Sequence, residues 1–196
     1  MRRANIFEQV PVIETERLRL RKLELGDVDA MYTYMSDPDT AKYGLWYPHQ
    51  SINETYDFLV NLLTQNENQH IVTWGIIWKP SNQFIGTVDV VFNPPAFVDA
   101  EVGYVVSKEF WGKGVMTEAV HAILYFIFTS MTVERVEAKC FPENIGSRKV
   151  MEKCGMSHEG TLRKKMYVKE RFWNLSIYAV LREEYLAQYL TTQELG

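Results

Sequence analysis

Gly112 and Gly114 stand one residue apart in the stretch EFWGKGVMTEAV, residues 109–120. An aromatic pair precedes them and apolar residues at helical spacing follow. Glycine costs backbone entropy, so its place at the mouth of a helix calls for a reason. The first N–H groups of a helix have no partner within it, and the helix dipole adds partial positive charge there. Without a Cβ at either glycine the backbone can close on an anion, phosphate above all, and Thr117 can add a hydroxyl. The plainer alternative is a tight turn before a core helix. Two specific phosphate motifs fail. GxxxxGK[ST] is absent, and a dinucleotide fingerprint would need glycine where Thr117 stands.

The flanking elements follow from pattern. Arg17 to Arg21 alternates arginine with leucine, as a half-buried strand does. Gly26-Asp27 offers a turn and an N-cap for a helix running to about Met35. SDPDTAKYGLWYPHQS (36–51) reads as a loop broken by Pro38, Gly44 and Pro48. A helix over about Asn53 to Thr64 follows. Ile71–Trp78, Phe84–Phe92 and Glu101–Ser107 then read as an antiparallel meander. A helix from about Met116 to Thr129 has one buried face. Next come a strand at Arg135–Cys140 and a short helix capped by Asn144 and ending at Gly155. Two strands, near 156–167 and 172–181, and a tail helix over about 183–190 complete the order. It is an α+β pattern on a mixed, mostly antiparallel twisted sheet of about seven strands.

The totals narrow the class. The chain has 196 residues, 46% hydrophobic and 23% charged, enough for one sizeable core. Its formal net charge of -4 argues against general nucleic-acid binding, which relies on clustered Lys and Arg. Cys140 and Cys154 match no zinc or redox motif, and His49, His70, His121 and His158 lack metal-ligand spacing. No metal is expected. The N-terminus has no continuous apolar stretch, and no segment is apolar enough to span a bilayer, so a cytoplasmic location without membrane contact is expected.

VGYVVSKEFWGKGVMTEAV (102–120), followed after a strand by PENIGSRKVMEKCGM (142–156), resembles the GCN5-related N-acetyltransferase (GNAT) superfamily. The family loop is Gln/Arg-x-x-Gly-x-Gly/Ala, and Glu109 to Gly114 aligns with it. Glu109 departs from that pattern, and a carboxylate does not favour a pyrophosphate. The aromatic-Trp-Gly-Lys-Gly wording, Asn144-x-x-Ser147, Lys153-Cys154-Gly155-Met156 and the opening ETERLRLRKLELGDVDAM (14–31) resemble the ribosomal-protein N-terminal branch (RimJ/RimL type). The likeness implies a single domain over 13–185, an extension at 1–12 and a tail at 186–196. It implies acetyl-coenzyme A as co-substrate. Its pyrophosphate would lie on Trp111, Gly112, Lys113, Gly114, Val115, Met116 and Thr117. Its pantetheine would run along Tyr104, Val105 and Val106 like an added strand. Asn144 would contact the coenzyme, and Lys149 would reach its 3′-phosphate or adenine region or stand solvated.

Acetyl transfer to an amine needs a neutral amine, donors for an oxyanion and a proton for the leaving thiolate. Glu101 is the candidate base, set against a plain strand-end glutamate or ion pair, with Asp89 and Glu159 behind it. Ser147 is the branch's acid by position, set against a serine capping its own helix, with Tyr104 and Tyr167 behind it. The N–H near Val105 or Val106 would hold the oxyanion. Tyr43, Trp46 and Tyr47 sit on the early loop, where the family's acceptor site is often walled. The expected acceptor is a protein or peptide N-terminus. Polyamines, amino acids and amino-sugar antibiotics are alternatives, as is a non-catalytic coenzyme-A sensor. Dimers are common in the resembled branch, and the apolar C-terminal strands could pair.

Overall fold

Leucine alternating with arginine does make a strand. In the computed structural model, which describes residues 6–7, 9–68, 70–94 and 98–193, β2 (Leu18–Lys22) buries Leu18 and Leu20 and turns Arg19 outward. Before it, β1 (Ile13–Glu14) pairs antiparallel with β2. Two residues are too few to show a period of two, so sequence pattern missed β1. Among the described residues the sheet therefore has eight strands, one more than the approximate seven expected.

Asp27 does more than begin a helix. Its carboxylate accepts from the Glu24 N–H at 2.8 Å and from Arg21 Nη2 at 2.6 Å. It closes a 3₁₀ turn over Leu25–Asp27, and α1 (Val28–Met35) follows. Pro38, read as a loop breaker, starts the short α2 (Pro38–Ala41). Asp37 Oδ1 caps it by accepting from the Thr40 N–H at 2.7 Å. Proline suits the first helical turn because its missing N–H would have no partner there. Next come α3 (Ile52–Asn68), β3 (Ile71–Trp78), β4 (Gln83–Phe92), β5 (Asp99–Val106) and α4 (Val115–Ser130). The chain continues through β6 (Arg135–Cys140), α5 (Ile145–Lys153), β7 (Ser157–Val168), β8 (Arg171–Leu181) and α6 (Arg182–Gln193).

The strand order is β1-β2-β3-β4-β5-β6-β8-β7. β3, β4 and β5 form the expected antiparallel meander. β5 and β6 run parallel, joined by the crossover through α4. One sheet face buries Val72, Trp74, Val88, Val90, Val102 and Val136 against the apolar side of α4 and against Met151 and Cys154 of α5's end. The other packs Ile77 and Phe84 against Met31, Tyr34 and Met35 of α1 and Leu59 of α3. A third cluster, Phe141, Trp173 and Leu175, takes Tyr43 of the early loop.

Ile6 and Val10 are buried in the main core, and the Pro11 carbonyl accepts from Trp74 Nε1 at 2.9 Å. Residues counted as an N-terminal extension thus pack on the domain, and α6 crosses the expected edge at 185. Residues 1–5, 8 and 194–196 of that extension and tail lie outside the described residues. Among the described residues, no helix is long and apolar enough to cross a membrane.

Candidate active site

The glycine loop is held by its aromatic neighbours. Phe110 is buried and packs its ring on Trp78, centroids 5.6 Å apart. Trp111 Nε1 donates to the Val106 carbonyl at 3.0 Å. With these anchors set, Gly112 and Gly114 take φ of +73° and +74°, the left-handed region that side chains disfavour. Gly114 is the N-cap of α4 and offers no side chain to its first turn. The amides of Val115, Met116 and Thr117 therefore stand at a positive helix end with no capping oxygen. That is an anion site in shape and in charge.

The cleft above the loop comes from the sheet itself. β5 pairs with β6 only from Asp99–Arg135 to Glu101–Glu137, and both strands run on apart, to Val106 and Cys140. Which backbone groups face the gap follows from register. The Ser107 N–H donates to the Ile85 carbonyl at 2.8 Å, and pairs in an antiparallel ladder alternate. Val105 and Gly103 thus turn their N–H and C=O toward β4, while Tyr104 and Val106 turn theirs into the gap. The Val106 carbonyl is taken by Trp111. Of the two N–H groups expected to meet an oxyanion, Val106's faces the gap and Val105's faces β4. Val105 contributes its side chain.

The resulting cleft has a volume of about 520 Å³. Tyr104, Val105 and Val106 form one side, and the loop from Trp111 to Thr117 contributes all its residues but Lys113. The start of α5 faces them with Asn144, Ser147 and Lys149, and Tyr43 and Trp46 of the early loop also line the cleft. Asn144 Oδ1 accepts from the Ser147 N–H at 3.1 Å, so the cap uses the serine's backbone and leaves its hydroxyl free of that duty. The Ser147 hydroxyl lies 3.0 Å from the Tyr104 hydroxyl, which also donates to the Ser147 carbonyl at 3.1 Å. This pair bridges the splayed strand and the helix. Burial raises the Tyr104 phenol well above its ordinary value, so it stays protonated.

Other expected residues fall elsewhere. Lys113 points away, its Nζ 5.3 Å from the Phe110 ring centroid, and brings only its backbone. Glu109 accepts from Gln83 Nε2 at 3.1 Å, away from the cleft. Tyr47 is 60% exposed beneath Lys169 and does not line the cleft. Trp46 folds over Gly44 and donates to the Met35 carbonyl at 3.3 Å. Glu101 is ion-paired with Lys139, which also holds Glu137 at 2.8 Å, and is not a lining residue. Glu159 is held by Arg135 at 2.6 Å.

Asp89 stands out where pattern gave it little weight. It lies opposite Gly103, and a Cβ on Gly103 would come within 2.7 Å of Asp89 Oδ2. The carboxylate occupies the space that a side chain would fill, one residue before Tyr104, and like Glu101 it is not a lining residue of the cleft. Burial, then repulsion from Glu101, pushes its carboxyl up to about 6. Thr73, directly across on β3, is buried with a hydroxyl that has no hydrogen-bond partner among the described residues. The clue in sequence was Gly103 inside a strand, which marks a close approach. Among the described residues no cluster of His, Cys, Asp and Glu could hold a metal ion.

A family profile described as "Acetyltransferase (GNAT) domain" matches residues 17–157. The chain is 33% identical over 171 residues to an uncharacterized N-acetyltransferase, p20, of Bacillus licheniformis, covering 87% of this chain and 96% of that one. A crystal structure of a GNAT-family acetyltransferase from Bacillus anthracis superposes with a TM-score of 0.78 at 31% identity, covering 88% of this chain and 99% of the other. RimL, a ribosomal L7/L12 α-N-protein acetyltransferase solved with coenzyme A, shares the fold at a TM-score of 0.78 and 19% identity, over 87% and 98% of the two chains. With an uncapped glycine loop, a splayed strand pair and a matching profile over most of its length, this chain belongs to the GNAT acetyltransferase family and is an N-acetyltransferase.

Proposed function

We propose that the chain passes the acetyl group of acetyl-coenzyme A directly to the α-amine of a protein or peptide N-terminus. The observation that carries this acceptor is the Asp89 carboxyl, poised at about 6 beside Gly103. An α-amine has a reference pKa near 8 and lysine one of about 10.4, so a base of this strength suits the former. The residues divide the work. Asp89 takes the amine's proton through water as the new C–N bond forms. The Val106 N–H meets the charge developing on the acetyl oxygen. Ser147 gives its hydroxyl proton to the sulfur as the C–S bond breaks, solvent returns a proton to the serine, and Tyr104 holds that hydroxyl in place. The loop amides and the α4 dipole hold the pyrophosphate. Tyr43 and Trp46 wall the acceptor.

A covalent relay through cysteine does not fit. Burial pushes the Cys140 thiol up to about 11 and Cys154 up to about 12, so neither is a thiolate at neutral pH. Cys154→Ser is expected to retain acetyl transfer, measured as thiol release.

The roles of Ser147 and Asn144 separate by substitution. Ser147→Ala removes the hydroxyl but keeps the N–H that Asn144 binds. Loss of a positioned proton donor is expected to lower kcat about 10²-fold, with little change in melting temperature. Asn144→Ala is expected to cost about 1 kcal/mol of stability, the usual value of an N-cap. Equal melting losses in both variants would assign Ser147 a structural role only.

A small polyamine acceptor is the second reading. Glu101, Glu137 and Glu159 share the two cations Lys139 and Arg135, and Asp89 has no ion-pair partner among the described residues, so carboxylates outnumber cations on this stretch of sheet and favour a cationic guest. A spermidine N(1)-acetyltransferase of Vibrio cholerae is 22% identical over 170 residues. Thiol release from acetyl-coenzyme A decides between the readings. Lysine-blocked peptides with free N-termini should stimulate it, and the same peptides with blocked α-amines should not. Stimulation by polyamines alone would overturn the N-terminal reading.

A further inference from the structure

The opening Thr15-Glu16-Arg17 has no part in lining the cleft, yet its side chains reach the glycine loop. Arg17 Nη1 donates to the Lys113 carbonyl at 3.0 Å, and Arg17 Nε donates to Glu118 Oε2 at 2.6 Å. Glu118 Oε1 accepts from the Arg17 N–H at 3.0 Å and from the Thr15 hydroxyl. The Glu118 N–H in turn bonds the Gly114 carbonyl at 3.0 Å, the first turn of α4. The guanidinium also lies 5.7 Å from the centroid of Trp78, the ring that packs on Phe110. Its planar fork is therefore fixed on a face and on two edges.

We propose that Arg17, oriented by Glu118, is a positioning residue for the coenzyme's pyrophosphate: it sets the plane of the Lys113–Gly114 peptide. In a trans peptide the C=O and N–H point in opposite directions. With the Lys113 carbonyl drawn to Arg17, the Gly114 N–H is turned to the other side, where the loop meets the cleft. Without that hold, this peptide can rotate about the φ of Gly114, a residue with few steric limits. Turned over, it would present a carbonyl oxygen to the phosphate oxygens. Arg17 thus removes in advance the freedom that the glycines introduce, and binding no longer has to order the loop. Its positive charge also offsets Glu118, which would otherwise oppose an anion at this helix start. The inference rests on coenzyme A occupying the cleft.

Calorimetric titration of the full chain with coenzyme A, alongside steady-state kinetics, tests it. Loss of one charge-assisted bond predicts that Arg17→Ala weakens coenzyme A about 10- to 100-fold. KM for acetyl-coenzyme A should rise in parallel, with kcat at saturation within about threefold of the parent, because Arg17 touches no reacting atom. Arg17→Lys keeps the charge but not the fork, so it should recover little of the loss. Full recovery by lysine would overturn the proposal in favour of bare charge, and unchanged affinity in Arg17→Ala would overturn it outright. If Arg17→Ala does not fold, Glu118→Gln carries the test. It leaves the arginine present but loosens its fork, and coenzyme affinity equal to the parent's would overturn the proposal. A parent chain that binds no coenzyme A would instead defeat the reading of the cleft.

Discussion

Gly114→Val is expected to weaken coenzyme A on the order of 100-fold while leaving the chain folded. The residue sits at φ +74°, where a β-branched side chain strains the backbone by about 1–3 kcal/mol. The variant can bear that strain or relieve it by turning the backbone to negative φ. Turning the backbone removes the Gly114 N–H from the set that converges on the phosphate. Bearing the strain places branched methyls beside the uncapped amides of Val115 and Met116. Both outcomes act on the bound state. Space alone is no obstacle, because the nearest atom to an added Cβ is Arg17 Nη2 at 3.6 Å. Calorimetric titration with coenzyme A, set beside the melting curve, measures the effect. Affinity within threefold of the parent would mean that the loop amides do not hold the pyrophosphate.

Asp89→Asn is expected to make the protein slower and more stable. The Asp89 carboxyl is pushed up to about 6 in the folded chain, against an ordinary value of 3.8. A carboxyl raised on folding is favoured in its protonated form by the fold. The penalty for its ionisation is therefore absent below about pH 4, grows between about pH 4 and 6, and is complete above. That difference corresponds to roughly 3 kcal/mol at neutral pH, an upper figure for a partly buried group. Asparagine carries no such penalty, so the variant should melt several degrees higher at pH 7 and lose that advantage near pH 4. If Asp89 accepts the amine's proton, kcat/KM should fall by about 10²- to 10⁴-fold. The parent's rate should rise through about pH 6, and that limb should vanish in the variant. A stabilised variant with full activity would leave Asp89 as a strained neighbour of Glu101 and nothing more. Groups retained at a cost in stability are characteristic of working sites.

These two residues show how differently a site is written into a chain. The glycine loop was legible because its chemistry is local. Two glycines before a helix constrain the backbone there whatever surrounds them, and the following helix announces itself by period. Asn144 and Ser147 were legible for the same reason, since a cap and its N3 partner lie within one turn. Asp89 was not, because its raised pKa depends on Gly103 and Glu101 of the next strand, and register is a property of the sheet. Glu101 looked the better base by sequence. Lys139, thirty-eight residues on, turns it into half of an ion pair.

Local pattern also misjudged Pro38, and it placed Asp27 at the N-cap of α1 without its partners. Pro38 breaks a helix only from within and starts one when Asp37 caps it. Asp27 matches the type of a helix cap, but Arg21 on the neighbouring strand and the Glu24 N–H hold its carboxylate. Lys113 sits within the motif, yet its side chain lies by Phe110 while its carbonyl serves Arg17.

By itself, the sequence determined the α+β order of the longer elements, the meander, the glycine-bearing start of α4 and the family to which the two motifs belong. All of these rest on interactions between residues close in the chain, or on periodicities that repeat along it. The tertiary structure decided where β5 and β6 part, which backbone groups of β5 face the gap, which carboxylate is left without a cation, and what steadies the glycine loop. Each of those depends on residues dozens of positions apart meeting across a sheet, and their spacing carries no trace of the meeting.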